Sequence, residues 1–68
     1  MAFYVKFVSD DETERFTIEL PDRAAAIATG TAKQAEYKAA GKHGIITAYE
    51  ISTERGIPME KCAEFWEV

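Results

Sequence analysis

Two short runs of alternating residues near the start of the chain decide most of what the rest can become. Phe3, Val5 and Phe7 recur at every second position, and so do Phe16, Ile18 and Leu20, which alternate with Arg15, Thr17 and Glu19. A period of two places each apolar set on one face of an extended strand. Between the runs stands Ser9-Asp10-Asp11-Glu12, which is turn chemistry, because short Ser and Asp side chains hydrogen-bond their own backbone. Alternating runs joined by so short a polar stretch predict an antiparallel hairpin. A lone hairpin is marginal in water, so its apolar face needs a cover.

The pattern changes at Pro21-Asp22. Asp22 is placed to act as a helix N-cap, accepting backbone N–H groups and complementing the positive end of the helix dipole. From Arg23 to Ala40 the chain is rich in Ala, Lys, Gln and Glu, all good helix formers, and Gly41 is a natural C′ residue followed by Lys42 and His43. At 100° per residue Ala24, Ala28, Ala32, Ala35 and Ala39 gather on one side, flanked by Ile27 and Thr31. This smooth face is expected to lie on the sheet, which leaves Tyr37 exposed almost opposite. Gly30 costs a helix interior about 1 kcal/mol relative to Ala, so a close backbone approach is expected there.

Ile45 to Ile51 predicts a third strand with Ile45, Tyr49 and Ile51 on one face, and Thr53-Glu54-Arg55-Gly56 a turn. Ala63 to Val68 reads as a closing strand, with a bulge near Pro58, although Met59, Cys62, Ala63 and Trp66 also fit a short amphipathic helix; the strand is preferred. The expected fold is α+β: one domain over residues 1–68, two antiparallel β-hairpins forming a four-stranded sheet on one alanine-rich helix, in the order ββαββ.

Composition sets the limits on function. With 47% hydrophobic and 29% charged residues the chain is globular in character. Its single cysteine, Cys62, rules out an internal disulfide, and a lone thiol predicts a reducing, cytoplasmic setting. Met-Ala-Phe-Tyr-Val-Lys has no basic and then apolar run of the secretory kind, and no stretch nears the roughly 18 apolar residues of a membrane span, so no membrane partner is expected. The net charge of −4 is uneven. Both hairpin segments are acidic and only the helical segment is basic, and an acidic total disfavours nonspecific nucleic-acid binding.

The catalytic candidates are sparse. Cys62 and His43 are the residue types of a nucleophile and its base, but no orienting Asn or Asp accompanies them, and a buried Cys with a helix-terminal His is the simpler reading. One Cys and one His do not make a zinc site, and the acidic turn lacks the spacing of a calcium loop. Thr29-Gly30-Thr31-Ala32-Lys33 lacks the phosphate-loop spacing and falls inside a helix rather than before one. No enzyme activity and no cofactor are expected.

Partner-binding candidates are clearer. Asp10, Asp11, Glu12 and Glu14 form an acidic turn that, with Glu54, Glu60, Glu64 and Glu67, is suited to a basic groove or to imitating nucleic-acid phosphates. On the helix, Arg23, Lys33, Tyr37 and Lys38 offer an aromatic among bases. Outward residues of the sheet, Tyr4, Lys6, Thr17 and Phe65 or Trp66, form a further patch, and a sheet with a helix on one face only leaves the other bare for a partner or a second copy.

In length, acidity and element order the chain resembles small phage-encoded inhibitors, among them anti-CRISPR proteins built as hairpin, helix, hairpin. That resemblance implies a non-enzymatic protein-binding module that occupies a macromolecular partner, as inhibitor or adaptor. Two alternatives stand beside it: a nucleic-acid-binding module using the basic helix face, and a homo-oligomer with a ligand or catalytic site between subunits.

Overall fold

In the computed structural model, which describes residues 2–68, four strands form one antiparallel sheet with a single helix on one side. The elements are β1 (Ala2–Ser9), β2 (Arg15–Leu20), α1 (Arg23–Ala39), β3 (Gly44–Glu54) and β4 (Ile57–Glu67). The sheet order is β2-β1-β3-β4, so α1 carries the chain from one edge, over β1, to the far side of that strand. The expected ββαββ fold is the observed one.

The first hairpin follows its alternation. Phe3 lies opposite Leu20, Val5 opposite Ile18 and Phe7 opposite Phe16, which stacks the apolar sets of both strands on the helix side. Phe3, Val5, Phe7, Ile46, Ala48 and, from the helix, Ala26 form the buried core. Burying a side chain such as Val5 or Phe7 stabilises the fold by about 1.5–3 kcal/mol, so these few residues matter greatly in a domain this small.

Helix α1 begins and ends as its sequence dictates. The Asp22 carboxylate accepts a hydrogen bond from the Ala25 N–H at 2.8 Å. At the other end the Lys42 N–H donates to the Tyr37 carbonyl and the Gly41 N–H to the Lys38 carbonyl, while Gly41 takes φ +74°. This paired closure needs a left-handed residue, which glycine adopts without strain.

The helix is turned the other way from the sequence expectation. Ala26 and Gly30 are its buried residues, with Lys33, Gln34 and Tyr37 half-buried behind them, whereas Ala24, Ala28, Ala32, Ala35 and Ala39 face solvent. The physical reason is that alanine gains little from either side, so larger contacts decide the rotation. Tyr37 packs on Phe7 with ring centroids 4.7 Å apart and meets Phe16 edge-on at 5.8 Å. Trp66 fills the space over Gly30.

The second hairpin is longer than expected. Arg55 and Gly56 alone form its turn, both at positive φ (53° and 78°), the twist that two-residue hairpin loops require. Residues 59–68 are strand through Glu67 rather than helix, and the bulge lies not at Pro58 but at Ala63, which is skipped between the pairs Ala48–Glu64 and Tyr49–Cys62. Pro58 pairs with Thr53 inside the strand, which is tolerated because β4 is an edge.

Among the described residues β1 accompanies β3 only as far as Ile51. Beyond it, Ser52–Met59 continue as a two-stranded ribbon whose residues from Thr53 onward are all exposed. The described residues measure 42 × 24 × 14 Å along their principal axes.

Candidate functional site

The acidic turn is largely occupied with holding itself together. One oxygen of the Asp11 carboxylate accepts from the Ser9 hydroxyl at 2.7 Å, the Thr13 hydroxyl at 2.8 Å and the Thr13 N–H at 3.1 Å. Those donors favour the charged form and lower the Asp11 pKa, the Ser9 bond most. Glu12 takes a left-handed φ of 58° and lies 3.7 Å from the Arg15 guanidinium. Glu14 binds the Lys42 ammonium at 2.8 Å, a bond that raises the lysine's pKa. The Asp10 N–H donates to the His43 carbonyl, so the turn is tied to the loop that follows α1. The open hollow between them, about 350 Å³, is lined by the Glu14–Lys42 ion pair and by Asp11 with its Ser9 and Thr13 donors, beside the Asp10 carboxylate. An ion pair of this exposed kind adds little stability, but it reduces the field the turn presents to a partner.

The structure does not assemble the helix candidates into one surface. Lys33 is paired with Glu36 at 3.1 Å and lies over the rings of Phe16 (5.7 Å) and Tyr37 (5.8 Å). Tyr37, expected to be exposed, is an aromatic wall of the core with Lys42 over its ring at 5.1 Å. Lys38 stands apart in solvent. His43 and Cys62 are also separated: Cys62 pairs with Tyr49, which lies six residues on from His43, the residue just before β3, or about 20 Å at strand spacing. Among the described residues no group of three or more His, Cys, Asp or Glu is placed to hold a metal ion.

Two other surfaces stand out. Among the described residues nothing covers the sheet face away from the helix, and the residues of that face fall into cross-strand rows. Arg15, Val8, Ile45 and Glu67 make one row; Thr17, Lys6, Thr47 and Phe65 the next. Glu19, Tyr4, Tyr49 and Cys62 make a third, with the Tyr4 and Tyr49 rings stacked at 5.0 Å. Ile45 (41% exposed) and Phe65 (57%) leave apolar surface open on this face. Trp66, the other aromatic of the expected patch, points the opposite way and covers the helix.

The second surface is the ribbon tip. Ile57 is 60% exposed and Met59 42%, beside the Arg55-Gly56 turn and an outer ion pair between Lys61 and Glu54 at 3.6 Å. From the sequence, Glu54 stood among the acidic candidates, Arg55-Gly56 in a turn and Met59 in the helical alternative, but Ile57 was not marked and an exposed apolar tip was not foreseen. Its available signal was the turn itself: strands of equal length on both sides of Arg55-Gly56 run past the end of β1, so whatever they carry has no third strand to lie against.

No protein-family model, curated protein or solved structure matches this chain.

Proposed function

We propose that the chain is a non-enzymatic protein-binding module, an inhibitor or adaptor that occupies a macromolecular partner, and that the tip of the β3–β4 ribbon is the part that enters it. The observation that carries this reading is the exposure of Ile57 and Met59 at the end of a ribbon that, among the described residues, neither the helix nor another strand covers. A two-stranded ribbon gains little by itself in water, so apolar side chains at its end are best accounted for by a partner that buries them. Met adds an adaptable contact and Ile a rigid one. The distance between His43 and Cys62 supports a role outside catalysis, and the internal pairing of Lys33 weighs against a basic helix face for nucleic acid. The phage-inhibitor likeness in size and layout suggests the same class.

The test is capture from a lysate of the source cells, with and without nuclease, comparing the wild type with a variant carrying Ile57→Asp and Met59→Asp. A stoichiometric protein retained after nuclease by the wild type and lost by the variant is expected. Retention of nucleic acid alone would replace this reading with a nucleic-acid-binding one.

A further inference from the structure

The uncovered sheet face is a different surface from the ribbon tip, and its pattern of side chains is complementary to itself. We propose that this face packs against the same face of a second copy of the chain, about a twofold axis that runs along the strands. Such an axis exchanges the two edges of the sheet while keeping the rows in place. β2 then lies over β4 of the other copy, and β1 over its β3.

The consequences follow row by row from the strand register. Arg15, at one end of its row, comes to face Glu67 of the other copy, and by symmetry the pair forms twice. In the same row Val8 faces Ile45, joining apolar to apolar. Lys6 meets Thr47, Thr17 meets Phe65, and Tyr4 meets Tyr49, extending the stack that each copy already holds at 5.0 Å. No like charges are opposed: Glu19 faces Cys62, and Glu60, beside Ile51, has no β2 residue across from it. The other in-plane twofold, across the strands through the Lys6 row, sets Lys6 against Lys6 and Arg15 against Glu19 but leaves Glu67 facing Cys62, so the response to Glu67 reversal separates the two arrangements.

The area also suffices. Four strands at about 4.8 Å spacing and three to four rows give a face of about 20 by 25 Å. Two such faces bury about 1,000 Å², the lower bound for a specific interface. Facing sheets pack about 10 Å apart and within about 30° of alignment, a rotation that long side chains such as Arg15 and Glu67 can span. Arg15 has only a long, exposed contact to Glu12 at 3.7 Å to give up. Because the axis follows the strands, both β3–β4 ribbons leave the same end of the dimer, so a partner would meet two tips at once.

Sedimentation equilibrium of the full chain tests this, with circular dichroism to show that each variant folds. The expected species is a dimer, twice the 7.6 kDa of the chain. Arg15→Glu and Glu67→Arg should each weaken association by about tenfold or more, since each turns two attractions into repulsions, and the combined exchange should restore it. Iodoacetamide should label Cys62 more slowly in the dimer than in the single-reversal variants. A monomer at all concentrations, a dimer indifferent to either reversal, or a failure of the combined exchange to rescue would overturn the proposal. A monomer whose Phe65→Lys variant loses a captured protein would give the face to a different occupant.

Discussion

The indole ring of Trp66 lies against the backbone of Gly30, where α1 and β4 meet with no side chain between them. A methyl group at position 30 would fall within the ring, its Cβ 2.7 Å from Cζ2 and nearer still to other ring atoms. Trp66 is the only tryptophan in the chain, so this contact has its own fluorescence signal.

Gly30→Ala therefore sets two effects against each other. Helix propensity gains about 1 kcal/mol, while overpacking against a rigid ring costs about 1–3 kcal/mol. A net loss in urea unfolding is expected, with a red shift of Trp66 emission as the ring is displaced. In a Trp66→Leu background the same substitution should become neutral or stabilising. A stabilising effect in the wild-type background would show that Trp66 does not seat there.

Tyr4 gives a prediction at high pH. Its place in the sheet and then the neighbouring Glu60 carboxylate push its pKa up to about 12 from the ordinary 10.0. The folded value lies above the unfolded one, so the stability this group contributes is complete below about pH 10 and is lost as pH rises towards 12. The tyrosinate absorbance that Tyr4→Phe removes should titrate near pH 12. Titration of that difference near pH 10 would contradict the assigned environment.

Asp11 acts in the opposite range. Its pKa lies below the ordinary 3.8, through hydrogen bonds from Ser9 and then Thr13, so the stabilisation is present above about pH 4 and disappears as pH falls through the folded value. Asp11→Asn should lower the urea midpoint at neutral pH, and the gap to wild type should narrow in acid. A gap of constant size would mean that the carboxylate charge plays no part in the turn.

Amide exchange should divide the second hairpin. Amides of Val5, Phe7 and Ile46 sit in the covered centre of the sheet and should exchange slowest, whereas those from Thr53 to Met59 should exchange far faster. Uniform protection along β3 would show that the ribbon is not an independent, weakly held element.

The strands were legible because their side chains contrast. Phe3, Val5 and Phe7 against Lys6, and Phe16, Ile18 and Leu20 against Thr17 and Glu19, mark the buried face of each strand, because a one-residue slip would turn every apolar side chain outward. The helix ends were equally plain in Asp22 and Gly41, where the backbone demands a cap and a left-handed residue. Its rotation was not, because Ala24, Ala26 and Ala28 differ so little in what burial gains them. Gly30 held the answer: it marked the close approach, and the face containing it runs through Ala26 and Tyr37. The second hairpin hid its details for another reason. The bulge at Ala63 shifts the alternation of β4 midway, so residues on either side of it obey different phases and together imitate a helical spacing. The acidic turn was visible as charge, but its partners Lys42 and Arg15 are supplied by the fold or by a turn geometry that residue type alone does not reveal.

The central claim is that the ribbon tip enters a protein partner, and a photo-cross-linking residue at position 57 measures it most directly. Irradiation in source-cell lysate should give one discrete, nuclease-resistant protein adduct, with none from the same residue at position 39 on the exposed side of the helix. A partner that co-purifies with the chain yet cross-links from position 39 and not from position 57 would contradict the account.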